Sequence, residues 1–91
     1  MAYDYHKALR IQEATIDTKN AAHMFSLAMS YAAGADVERF RPYLAKAEEW
    51  LKRAADAGNE EAKWVWAEGW AELRASIEHR IEFPDSEPPD D

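Results

Sequence analysis

Cysteine is missing from the 91-residue chain, which excludes disulfides and thiolate metal sites. Glycine occurs three times and proline four times, and Pro84, Pro88 and Pro89 crowd into the C-terminal end. Backbone breakers are therefore scarce over the rest of the chain. No apolar run approaches the roughly eighteen residues of a membrane span. The opening stretch MAYDYHKALRI lacks the basic region and continuous apolar segment of a signal peptide, so a cytoplasmic location is expected.

Chemistry-bearing constellations are equally scarce. His6, His23 and His79 are the only histidines, and none belongs to an HExxH or ExxH pair, so zinc-hydrolase and di-iron readings have no ligands. His79 and Glu82, one turn apart, read as a surface helix pair. The serines have no glycine elbow or neighbouring base, and no phosphate-binding glycine loop occurs. The sequence predicts no catalytic residue, no cofactor and no metal: the protein is not expected to be an enzyme.

Charge divides unevenly. The formal net charge is −7, and the last ten residues, EFPDSEPPDD, hold five acids and no base. Without those five the balance is only −2, so the body is nearly neutral and the acidity lies in the tail. No basic stripe suits a nucleic-acid backbone, and direct DNA or RNA binding is not expected.

What is present is mostly helix former: 47% hydrophobic and 32% charged residues, rich in Ala, Glu, Lys, Leu and Arg. A first helix is expected over about 3–17, with Tyr5, Leu9, Gln12 and Ile16 on one face. Asp17, Thr18 and Asn20 are cap formers marking a break. A second helix is expected over 20–33, closed by Gly34, followed by a linker at 35–41. Pro42 suits the first turn of a third helix running to about 57, closed by Gly58. The fourth, over 59–82, carries the stripe Ala62, Trp66, Trp70, Leu73, Ile77 and Ile81 with Val65 beside it. Residues 1–82 thus read as one all-α domain, and 83–91 as a disordered acidic tail.

The segments NAAHMFSLAMSYAAG (20–34) and NEEAKWVWAEGWAEL (59–73) align at a period of 39, pairing Phe25 with Trp64, Leu27 with Trp66, Ala28 with Ala67 and Tyr31 with Trp70. Between them, Lys46, Ala47, Trp50, Ala54, Ala55, Gly58 and Ala62 follow the second-helix pattern of the Sel-one-like repeat, a relative of the tetratricopeptide repeat, with Leu51 where that family prefers tyrosine. Residues 20–73 resemble one and a half such repeats. His23 stands in place of an alanine, and the connecting loop is longer than usual. The resemblance implies a four-helix antiparallel α-hairpin stack, a short solenoid serving protein–protein contacts. So few repeats leave the terminal helices to act as caps, or weak self-association to complete the burial.

Four tryptophans are a surplus. Trp50, Trp66 and Trp70 fall on apolar stripes and are expected in the core. Trp64, about 200° around the helix from Trp66, either packs on a flanking helix or stands exposed as a binding anchor. The loop triplet Arg39, Phe40 and Arg41 either closes the core or engages an acidic partner. The expected function is a protein-interaction module of Sel-one-like type whose partner is another protein. The competing expectation is a small acidic inhibitor, of phage or plasmid type, that blocks a nucleic-acid-handling complex.

Overall fold

The computed structural model describes residues 4–83. These form α1 (Tyr5–Ala14), α2 (Ala21–Glu38), α3 (Pro42–Asp56), α4 (Glu60–Trp64) and α5 (Trp70–Glu82), with no strand among the described residues. A π-helical turn, Val65–Gly69, joins α4 to α5 without leaving right-handed helical geometry. The fold is therefore all-helical, with four rods. Most of the acidic segment expected to be disordered lies outside the described residues.

Side-chain chemistry sets most of the boundaries. Asp4 caps α1 through the Lys7 N–H, Asn20 caps α2 through Ala22 and His23, and Asn59 caps α4 through Ala62 at 2.8 Å. Each such cap contributes about 1 kcal/mol by satisfying an otherwise orphaned donor. Pro42 opens α3. Gly58, at φ +100, supplies the left-handed turn that ends α3.

Two boundaries differ from expectation. α1 stops at Ala14 rather than residue 17, because the Thr15 hydroxyl folds back on the Ile11 carbonyl at 2.9 Å and Asp17 turns the next segment through the Lys19 N–H. α2 runs on to Glu38 instead of ending at residue 33. Its left-handed terminus is Arg39, at φ 51, with the Phe40 N–H returning to the Ala35 carbonyl at 3.0 Å. Gly34 is not a cap. It lies buried within α2, where a Cβ would come 2.8 Å from Leu9 Cδ1. Its bare backbone lets α1 approach.

Successive rods alternate in direction. His6 meets Tyr43 while Glu13 meets Lys46 and Trp50, so α1 and α3 run the same way. The end of α5 meets the end of α2 through Arg80, whose guanidinium holds both carboxylate oxygens of Asp36 at 2.7 and 3.1 Å. The core lies chiefly between α2 and α3, where Leu27, Leu44 and Leu51 are enclosed, Ile77 of α5 is equally enclosed, and Ala28, Ala35, Ala47 and Ala54 allow close approach. α1 contributes only Leu9 to this core.

The π turn rewrites the expected stripe of the last rod. The Trp70 N–H donates to the Val65 carbonyl, five residues back. A turn widened by one residue puts i and i+5 on one side. The buried line is accordingly Ala62, Val65, Trp70, Leu73, Ile77 and Ile81, with Val65, Leu73 and Ile81 partly covered. Trp66, expected in the core, is rotated off it and is 36% exposed. Trp50 and Trp70 are buried as expected. The Trp70 indole N–H finds no acceptor among the described residues.

Candidate protein-binding surfaces

The last rod presents the larger aromatic surface. Trp64 ends α4 and is 64% exposed, which settles its position: it does not pack on a flanking helix. Its six-membered ring lies alongside Gly69, where a Cβ would stand 3.5 Å from Cζ3. This is the five-residue reach of the π turn, with the indole resting along the rod. Trp66 is the second exposed ring of this segment.

The charges around these rings are one-sided. Lys63 is occupied by Glu60 at 3.6 Å, and Arg74 by Glu48 at 3.0 Å and Glu78 at 3.4 Å. Glu61, Glu68 and Glu72 are exposed and form no ion pair among the described residues. Glu61, Trp64, Glu68 and Glu72 succeed one another at roughly one turn, so the indole stands in an uncompensated acidic strip.

The loop triplet is arranged differently. Arg39 directs its guanidinium to the Arg80 carbonyl at 2.7 Å, and Arg41 approaches Glu82 at 3.9 Å. Both arginines brace the α2–α3 connection against α5. Phe40 is 40% exposed, yet its ring makes edge contacts with His6 at 5.4 Å and Tyr43 at 4.7 Å. It half-closes the seam between α1 and α3 and borders a shallow groove of about 460 Å³ with Pro42, Tyr43, Ala45, Lys46 and Glu49. Trp64 and Arg80 are roughly 24 Å apart along the rod at 1.5 Å per residue. The two surfaces predicted from sequence are therefore separate.

A polar network ties α1 to α3. The Glu13 carboxylate accepts from Trp50 Nε1 at 2.7 Å and Lys46 Nζ at 3.2 Å, with the Tyr31 hydroxyl close enough to act on its charge. Burial alone would raise the Glu13 pKa, but the polar hydrogens of Trp50, Tyr31 and Lys46 and the Lys46 charge outweigh it and lower the value. Burial, reinforced by the adjacent Glu13 carboxylate, pushes the Tyr31 hydroxyl well above its usual range. Arg53 lies over the Trp50 ring at 4.3 Å. Every member has a structural task in docking α1.

His79 stacks on Phe83 at 5.1 Å, and Glu82 turns to Arg41. Among the described residues no three His, Cys, Asp or Glu side chains gather as a metal ion would need, and no helix is long and apolar enough to cross a membrane. Sequence reasoning missed the exposure of Trp66, because it depends on the π turn, whereas the acidic strip was legible at spacings of three, four and four but passed as ordinary solvated charge. Gly69 within a helical stripe was the available signal. No protein-family model, curated protein or solved structure matches the chain.

Proposed function

We propose that this protein is a non-enzymatic interaction module that binds another protein through the face of its last rod. The observation that carries the reading is the exposure of Trp64 at the end of α4, with Trp66 also exposed on the adjoining π turn. Aromatic rings held in water are costly to leave uncovered and dominate the energetics of protein contacts. Trp64 resting along Gly69 is partly preorganised, so little side-chain entropy remains to be lost on binding.

A scaffold of Sel-one-like type is the form we infer for it. Support comes from the sequence pattern of Lys46, Ala47, Trp50, Ala54, Ala55, Gly58 and Ala62. The second unit departs from the first: Ala28 is buried, whereas Ala67, its counterpart, is exposed. A second reading, an acidic inhibitor of a basic protein groove, gains support from the unpaired Glu61, Glu68 and Glu72.

Affinity capture from cells that make the protein tests the proposal, comparing it with a Trp64→Ala, Trp66→Ala variant. Loss of the bound partner with helical content unchanged is expected. Identical capture by both forms would remove the aromatic face from the function. The inhibitor reading requires that Glu61→Gln, Glu68→Gln, Glu72→Gln weaken capture as strongly as the tryptophan changes do, and that moderate salt reproduce the loss.

A further inference from the structure

The outer face of α1 is chemically the counterpart of the Trp64 strip. Leu9 points to the core, which leaves Lys7, Arg10, Ile11 and Ala14 on the opposite side of the helix, all exposed. Ile11 is 55% exposed, an aliphatic side chain in water. Neither Lys7 nor Arg10 is paired with an acid among the described residues. One face thus presents an isoleucine with two unneutralised bases. The other presents an indole with three unneutralised acids.

These faces lie on opposite flanks of the α2–α3 hairpin. α1 meets α2 at Gly34, and α5 meets it at Asp36. Two residues apart at about 100° each, those contacts are about 200° apart around α2. On α3 the same separation holds between Lys46, facing α1, and Glu48, facing α5. The strip and its counterpart therefore cannot meet within one molecule, but they can meet between two.

We propose that the chain associates head to tail with copies of itself, the Lys7–Arg10–Ile11 face of one copy covering Trp64 and its acids on the next. The inference rests on the reading of the Trp64 face as a protein-binding surface and names a second copy as an occupant. Seating Ile11 on the Trp64 indole sets Lys7 one turn away, and Glu61 and Glu68 lie about one turn to either side of Trp64, so a base meets an acid whichever way the helices run. Because the two patches differ, the contact is heterologous: it leaves a free face at each end and either grows or closes as a ring. A single helix face against another buries less than the roughly 1,200 Å² of a standard interface, so the association is reversible and appears at high concentration.

Sedimentation velocity of the purified full chain tests this. At about 0.05 M salt the average mass should rise with concentration, and at about 0.5 M it should return to that of a monomer. Lys7→Glu with Arg10→Glu, and separately Glu68→Lys with Glu72→Lys, should each give monomers. All four positions are exposed on helices, so circular dichroism should show the fold retained in each variant. An equimolar mixture of the two variants should associate again, since each carries the charge the other has lost. The reversals move the net charge from −7 to −11 and −3, so both proteins remain acidic and only local complementarity can restore contact. A constant monomer mass for the unaltered chain overturns the proposal, as does a mixture that stays monomeric or an association that neither variant weakens. If the chain stays monomeric while the tryptophan variant still loses another protein, self-association alone is wrong. If both fail, the reading beneath it fails too.

Discussion

Replacing Gly34 with alanine pits two effects of similar size against each other, and Leu9 decides the sign. Within an α-helix the change stabilises by about 1 kcal/mol, since glycine loses more backbone entropy and shields less backbone. At this position the added methyl would stand 2.8 Å from Leu9 Cδ1 and 3.4 Å from Tyr43 Cδ2. Leu9 is only 2% exposed, so it cannot simply swing away, and relief requires α1 to lift from α2. Overpacking of this kind costs about 1–3 kcal/mol. Gly34→Ala should therefore destabilise the intact protein by about 1 kcal/mol. Leu9→Ala alone should cost about 2–3 kcal/mol, at the lower end for such truncations because α1 can settle into the vacated space. In that background the clash is gone and only the helix term remains, so Gly34→Ala should stabilise by about 1 kcal/mol. The double-mutant cycle should thus show a coupling of about 2 kcal/mol. Urea unfolding followed by far-ultraviolet circular dichroism measures all four corners. The same sign for Gly34→Ala in both backgrounds would refute the account of why α1 docks where it does.

Three further outcomes follow from the same structure. Trp70→Ala should cost about 3–5 kcal/mol, whereas Trp66→Ala should cost less than about 1 kcal/mol in the same urea titration; equal losses would return Trp66 to the core. Glu13, lowered from its usual value near 4.5 when folded, contributes stability that is present above that value and lost as pH falls through the folded pKa. Glu13→Gln should flatten this acid limb of the stability curve, and an unchanged limb would place the titration elsewhere. Deleting Ala67 should leave a folded protein, because it turns the five-residue step from Val65 to Trp70 into a regular four-residue one; a chain that no longer melts cooperatively would contradict the packing assigned to the π turn.

The helices were legible where local chemistry decides them. Asn20, Pro42, Gly58 and Asn59 act at the boundaries their residue types suggest, and the stripe of α3 through Leu44, Ala47, Trp50, Leu51 and Ala54 is buried. Gly34 misled because a glycine serves either a left-handed turn or a close approach, and only the position of Leu9, which lies outside its own helix, separates the two. Arg39 gave no sign of its left-handed backbone, since the strain is tolerated by hydrogen bonds to Ala35 and Arg80 that exist only in the folded chain. Of the candidate surface, Trp64 was visible as a ring off the stripe. Trp66 was not, because a spacing of 4 and 4 from Ala62 to Trp70 fits a regular helix as well as the true spacing of 3 and 5 fits a π turn.

That ambiguity has an energetic resolution. A regular helix turns about 800° over the eight residues from Ala62 to Trp70, leaving the second side chain about 80° off the first. Burying both ends of that span without the wider turn would bring Trp66 toward the core beside Trp70. One extra residue in the turn keeps Val65, Trp70 and Ile77 in line and carries Trp66 outward, on the flank of the rod away from Trp64. The cost is an exposed ring whose burial would have stabilised the fold by about 1.5–3 kcal/mol. The acids Glu61, Glu68 and Glu72 limit what can cover Trp64, since an unpaired carboxylate buried at a contact destabilises it unless the incoming surface brings a cation. The acidic strip, rather than the turn that fits Trp70 to the core, therefore sets the chemistry demanded of whatever binds Trp64.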